Sequence, residues 1–249
     1  MKLFLLLCLI LSFYSTDTIL GQELTDYWCM KKGQKIIMDL YSYTGATLIQ
    51  KESMSIKILE NVGSKDRIRQ KIEYQFYLYT NDGMKSDGEI NAYYEITPTE
   101  INYIAYQYLD EEVKNEEYPL IDLKYPIKKG NSWHTMYQHF PINREFNRLI
   151  KLDLTVMITD TNLTVTTPAC TFINCIKKIE KCRTDSLFLI HDSTGKETLA
   201  HLNYQRTEWW AKDLGCIKAE VDERYEKVDD NNKIAIEFKK YYKLREIIN

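Results

Sequence analysis

Residues 164–178 read Thr-Val-Thr-Thr-Pro-Ala-Cys-Thr-Phe-Ile-Asn-Cys-Ile-Lys-Lys (TVTTPACTFINCIKK), two β-forming runs that meet at Pro168-Ala169-Cys170. Thr164 to Thr167 alternates hydroxyl and apolar groups. Pro168 fixes φ and has no N–H with which to extend a ladder, and Phe172 to Ile179 resumes a β-branched and aromatic pattern. The stretch is a strand–turn–strand hairpin. It carries no nucleophile–base pair, no phosphate-binding glycines and no metal-ligand set, so it speaks for architecture and not for a ligand.

Outward from this hairpin, runs with strand character alternate with turn residues. On the N-terminal side, Gln34–Tyr43, Leu48–Glu60, Arg67–Thr80, Met84–Ile96 and Glu100–Tyr108 are expected strands. Turns are expected at Thr44-Gly45, Asn61–Asp66, Asn81-Asp82-Gly83 and the Pro-containing break Thr97–Thr99. The spacing of Ile68, Ile72, Tyr74, Phe76 and Leu78 puts them on one face. Asp110–Glu117 (DEEVKNEE) reads as a solvated acidic loop without the regular calcium-loop pattern, and it marks a possible midpoint near 110–118. Beyond it, Ile127-Lys128-Lys129-Gly130 echoes Met30-Lys31-Lys32-Gly33, a faint repeat suggesting two β halves.

The second half adds Ser132–Phe140, Leu149–Thr159, Ser186–Asp192, Thr198–Ala211, Cys216–Glu226 and Ile234–Leu244, the last a strand because Ile234, Ile236 and Phe238 keep period two. Roughly a dozen strands with short turns and no long helix define an all-β fold. An antiparallel sandwich, an open barrel and a clam-shaped curved sheet all fit, each needing its edges buried.

The chain has 249 residues, 44% of them hydrophobic, enough for one β domain with a real core. Its 33 basic residues are scattered among 36 acidic ones for a net charge of −3, which argues against a nucleic-acid partner. Met1-Lys2, the apolar run Leu3–Phe13 and the polar patch Ser15–Thr18 read as a secretory signal peptide cleaved after Gly21. The mature chain 22–249 is then a single exported domain, secreted or periplasmic, without an integral membrane segment. Export leaves Cys29, Cys170, Cys175, Cys182 and Cys216, an odd set in a compartment that permits disulfides. Cys170 and Cys216 both sit at chain reversals that can meet at one end of a sheet, and they are the bridge we expect first. The spacing of Cys170, Cys175 and Cys182 is not that of a zinc site.

KYPIKKGNSW (124–133), TPACTFINCIK (167–177) and EWWAKDLGCIKAEV (208–221), in that order, resemble the TapB-like family of exported bacterial proteins, which is related to a domain of unknown function. The resemblance spans about Tyr27 to Tyr242. Cys170 stands where that family usually has glycine and Cys216 where it usually has an apolar residue, departures that place thiols where a bridge can form. The resemblance implies at most an association with type IV pili or the cell envelope.

Candidate chemistry is sparse, and nothing calls for a metal or a cofactor. His134 and His139 are five residues apart and make poor co-ligands, whereas His191 and His201 flank the Gly195 turn and can approach across a hairpin. Trp209 and Trp210 must point to opposite faces of their strand, so one enters the interior and the other faces solvent, a cleft or another chain. Trp210, with neighbouring tyrosines and with Trp133 as a further candidate, fits the wall of a concave pocket for a small apolar or sugar-like ligand. An envelope protein at a sheet edge is the alternative partner. Asn162-Leu163-Thr164 matches a glycosylation sequon, relevant only in a eukaryotic secretory host. The expectation is a non-catalytic binding or envelope-associated protein. The alternatives are a secreted hydrolase built from scattered histidines, thiols and carboxylates, and a self-associating structural component.

Overall fold

The computed structural model describes residues 24–28, 31–64, 66–109, 111–139, 150–191, 194–228 and 233–248. The signal segment, Cys29 and the 140–149 connection lie outside the described residues.

A short 3₁₀ turn, Leu24–Tyr27, precedes twelve strands: β1 (Lys35–Thr44), β2 (Thr47–Ser64), β3 (Arg67–Thr80), β4 (Gly83–Ile96), β5 (Glu100–Tyr108), β6 (Lys114–Lys124), β7 (Ser132–His139), β8 (Ile150–Thr166), β9 (Thr171–His191), β10 (Glu197–Ala211), β11 (Gly215–Lys227) and β12 (Ile234–Ile248). They form one antiparallel sheet in the order β6-β5-β4-β3-β2-β1-β12-β11-β10-β9-β8-β7. Each half of the chain is thus a six-strand meander, and the first strand of one zips onto the last strand of the other through ten residue pairs from Lys35↔Ile248 to Thr44↔Phe238. The sheet curves into a clam without closing into a barrel, which selects one of the three all-β architectures the sequence allowed.

Period two builds the interior. On β8, Leu152, Leu154, Val156 and Ile158 are buried while Lys151, Asp153, Thr155 and Met157 are exposed. These residues join Ile72, Ala92, Tyr94, Ile101, Leu123 and Tyr204 in the principal core between the two halves.

Three expectations change, while the five named runs before residue 110 all form strands. The acidic stretch is a loop only in its first half, since β6 starts at Lys114, where one face of the strand is solvated and tolerates charge. Asn61 to Ser64 extend β2 instead of turning, because Gly63 at φ +132 lets the chain pass within contact of Arg67. The segments read as separate strands around 159–164 and 180–186 are continuous in β8 and β9. β8 absorbs its polar interruption in register shifts around Asp160, with Asn162 at φ 60.

The hairpin that decided the fold forms as read, with Thr166 opposite Thr171 and Thr167 N donating to Cys170 O at 3.0 Å. Its tip leaves the plane of the sheet. Ala169 N donates to Leu244 O of β12, and Val165 and Cys175 share a small apolar cluster with Ile36, Ile217 and Leu244. The tip and the 3₁₀ turn, where Tyr27 Oη donates to Asn174 O at 3.0 Å, together cap one end of the clam. The Cys170–Cys216 bridge does not form. Cys170 is exposed at the hairpin tip, Cys216 points into the interior opposite Trp210, and all four described cysteines are free thiols.

The faint repeat is structural. Gly33 N donates to Ile58 O at 2.9 Å and Gln34 O accepts from Ile58 N at 3.2 Å. Gly130 N donates to Ile158 O at 2.8 Å and Asn131 O accepts from Ile158 N at 2.9 Å. Both glycines hold positive φ, +84 and +86. The halves differ at their second seam, where β6 and β7 meet through side chains rather than a ladder. Trp133 Nε1 donates to Ile121 O at 2.9 Å and Ile121 N donates to Thr135 Oγ1 at 2.8 Å, so the backbone of one edge residue is satisfied by two side chains of the other edge.

Trp133→Phe removes one of those seam bonds and should cost about 1–3 kcal/mol in denaturant unfolding, a loss larger than Thr135→Ser, which keeps the hydroxyl. Gly63→Ala, whose Cβ would fall 2.2 Å from Arg67 O, should lower stability by about 1–3 kcal/mol on the same measurement.

Candidate functional site

Between the two walls of the clam lies a cavity of about 380 Å³, within the usual range for small-ligand sites. One wall, from β1, β2 and β3, is apolar: Ile36, Met38, Met54, Ile56, Ile72 and Phe76. The opposing wall is phenolic and charged, with Tyr103 from β5, Asp122 from β6, Tyr137 from β7, Arg206 and Glu208 from β10, and Tyr242 from β12. The floor is Trp28 stacked on Trp210, ring centroids 5.6 Å apart, with Trp28 Nε1 donating to Gln70 Oε1 at 2.6 Å.

Behind the polar wall sits a buried charge network. Lys178, fully buried, lies 2.7 Å from Glu180 and 2.8 Å from Glu208, and it donates to the carbonyl oxygen of Asp122 at 2.9 Å. Register explains the arrangement, because Lys178 is paired with Glu208 and Glu180 with Arg206 across the β9–β10 ladder, giving two opposite-charge pairs on the inner face. Arg206 reaches Glu208 at 2.5 Å, and Trp210 Nε1 donates to the same carboxylate at 2.9 Å. The side chain of Arg206 is 27% exposed and lines the cavity.

Burial opposes charge on Lys178, but Glu180, Glu208 and Asp122 outweigh it and hold the ammonium above its ordinary pKa. Burial also acts on Glu208, where Arg206 and Lys178 overcome it and hold the carboxyl at about 2. Asp122 is the strained member. Burial pushes it up to about 6, since Lys178 must offset both the desolvation and the repulsion from Glu208 and Glu180. Burial likewise pushes Tyr74 up to about 12 and Tyr94 well above its ordinary value, so these phenols, 3.2 Å apart at their hydroxyls, remain protonated.

The residues singled out from sequence separate. Trp210 is 3% exposed and lines the cavity as expected, while Trp209 faces away, its ring held between Lys218 Nζ at 4.1 Å and Lys177 Nζ at 5.4 Å. Trp133 is buried at the seam and does not line the cavity. His134 is exposed and lies 3.5 Å from Thr155 Oγ1. His191 pairs with Glu197 and His201 Nδ1 lies 2.9 Å from Thr184 O, so the turn does not bring the two rings together. The side chain of His139 lies outside the described residues. Cys216 does reach the cavity, and burial drives its thiol well above its ordinary pKa, away from a reactive thiolate. Sequence reading missed Trp28, Lys178 and Arg206, which became significant only once the register and the cap were known.

No family model matches the chain, and no curated protein matches it. Among solved structures, it resembles a candidate lipoprotein from Parabacteroides distasonis at 17% identity and TM-score 0.51, over 90% of this chain and 99% of the other. It is also similar to a candidate exported protein with a YmcC-like fold from Bacteroides fragilis at 13% identity and TM-score 0.47, over 90% of this chain and the whole of the other. The first likeness shows the fold. Among the described residues no helix is long and apolar enough to cross a membrane.

The strained Asp122 generates a pH prediction. Its folded pKa of about 6 lies above the value of 3.8 expected when unfolded, so the native state binds the extra proton between them. Stability should therefore fall as pH rises from about 4 to about 6 and stay flat above, a loss of about 1–3 kcal/mol. Asp122→Asn should remove that slope, leaving the variant more stable than the parent at pH 8 and no more stable at pH 4, read by denaturant unfolding at both values.

Proposed function

We propose that this is an exported, non-catalytic binding protein of the bacterial envelope that holds a small, largely apolar ligand in the cavity of its clam-shaped sheet. The carrying observation is the cavity itself, capped at one end by Trp28 and Trp210 and walled by aliphatic side chains on one side and phenols on the other. Such a site shields apolar surface while leaving hydroxyls to orient a ligand. Export is supported by the N-terminal signal pattern and is in keeping with the candidate lipoprotein that shares the fold. TapB-like membership belongs to the same reading and rests on the three motifs at 124–133, 167–177 and 208–221.

A non-catalytic role is supported by what the wall offers. No histidine lines the cavity among the described residues, its thiol is held protonated, and its carboxylates are bound to Lys178 and Arg206 or strained upward rather than paired with a nucleophile. The secreted-hydrolase reading would need a base and a nucleophile in contact there.

N-phenyl-1-naphthylamine, an apolar dye that brightens on leaving water, should bind the mature protein with one saturable site. Ile90→Trp places a larger side chain on a half-exposed cavity position and should weaken dye binding at least tenfold without changing the unfolding midpoint appreciably. Equal dye binding by parent and variant would place the ligand elsewhere and sink this reading.

A further inference from the structure

We propose that the cavity selects an amphiphile with an anionic, oxygen-rich head group, such as a carboxylate or a sulfonate, seated on Arg206 with its alkyl tail along the Met38–Met54–Phe76 wall. This rests on the cavity reading above and adds the class of ligand to it.

The two ends of the site differ in chemistry and are contiguous. The Arg206 guanidinium stacks over the Tyr242 ring at 5.9 Å, and Tyr242 itself packs on the cluster formed by Met38, Leu40 and Met54, against which Tyr74 and Phe76 also lie. A chain leaving the guanidinium therefore passes directly onto thioether and aliphatic surface, which adapts to a flexible tail. The guanidinium is paired with Glu208 on one side, and the part of it that lines the cavity faces apolar surface. Its Nε is buried without a hydrogen-bond partner. A neutral apolar ligand would leave the cation with Glu208 as its ion-pair partner, whereas an anionic head group would add a second charge-assisted contact from the cavity side.

The surroundings supply phenolic donors. The Tyr74 and Tyr94 phenols are held protonated, and Tyr137, also on the wall, is pushed upward by burial. Glu208 and Glu180 are committed to Lys178 and Arg206. The groups facing Asp122 are Lys178 and Glu180 from β9 and Arg206 and Glu208 from β10, with Tyr74 of β3, Tyr94 of β4 and Tyr137 of β7 within electrostatic reach. Among the charges of this wall, Asp122 is the one able to take up a proton near neutrality, so an incoming anion is accommodated by protonating it. Glu116 at the cavity edge is also shifted upward by burial and would add in the same direction. Head-group affinity then declines as pH rises.

The test uses decane-1-sulfonate, whose charge is constant from pH 5 to pH 8, beside decan-1-ol and decyltrimethylammonium, each displacing the naphthylamine dye from the mature protein. The sulfonate should bind about tenfold more tightly than the alcohol at pH 5 and lose most of that margin at pH 8, as expected for a charge-assisted contact. Arg206→Gln should abolish the margin, read as the ratio of sulfonate to alcohol affinity within the variant itself. Arg206→Lys, which retains the pair with Glu208 and safeguards against a folding defect, should keep part of it. Asp122→Asn should hold the margin constant across the pH range. A sulfonate no tighter than the alcohol, or a preference for the ammonium compound, overturns the head-group assignment while leaving the cavity reading intact. Dye that binds but is displaced by none of the three overturns it as well, and absence of dye binding would instead fault the cavity reading.

Discussion

A single buried ammonium holds this clam shut. Lys178 sits on β9, near one edge of the sheet, yet its Nζ donates to the backbone of Asp122 on β6, the opposite edge. An isolated lysine in such a place would be prohibitively costly, so its tolerance requires Glu180, Glu208 and Asp122 around it, and those carboxylates in turn require Arg206 and the indole N–H of Trp210. Each partner comes from a strand whose position the others fix. Such a network is a weak source of stability, because much of its Coulombic gain repays desolvation. Its effect is geometric: it ties β6 at one edge of the sheet to β9 and β10 near the other and so fixes the polar wall of the cavity.

Because the two edges of the sheet are joined by this knot and by side chains at the β6–β7 seam, the sheet behaves differently at its two junctions. At β1–β12 a ladder of ten pairs gives a rigid spine. At β6–β7 the connection is made by Trp133 and Thr135, with the surface pair Lys151–Glu117 reaching from β8 to β6 beside it. A ladder excludes change of width except by breaking many bonds together, whereas a few side-chain bonds permit small adjustments one at a time. The site is therefore bounded by one fixed and one adaptable junction, an arrangement suited to admitting a ligand without unfolding the sheet.

Much of the fold was legible in the sequence because it follows from local rules. Asn81-Asp82-Gly83 turns the chain between β3 and β4, with Gly83 taking a positive φ of +113 just past the two loop residues, and the apolar face Ile68, Ile72, Tyr74 and Phe76 lies inside as its spacing requires. What failed to show was continuity through polar stretches. Asn61 to Ser64 and Lys181 to Asp185 look like breaks because turns and exposed strand faces use the same residues, and only pairing partners distinguish them. The site was harder still. Lys178 and Glu180 alternate along β9 as an ordinary solvated stripe would, and so do Arg206 and Glu208 along β10. Their complementarity appears only when the register places Lys178 beside Glu208 and Glu180 beside Arg206. Trp210 could be placed by parity against Trp209, but Trp28 could not, since its position under the sheet depends on the cap formed by Tyr27 and the folded-over hairpin. The anticipated Cys170–Cys216 pairing fails for a related reason: both residues lie at reversals, but one thiol faces out and the other faces in.

The pairing of β1 with β12 also governs the order in which the molecule can be completed during synthesis. The first strand to emerge has its inner neighbour, β2, at once, but its other edge waits for the last strand of the chain, about 200 residues later by the register Lys35↔Ile248. Until then the nascent first half is an unfinished sheet with an open flank and an uncovered apolar wall. A chain built this way withholds its final topology until the C-terminus is free.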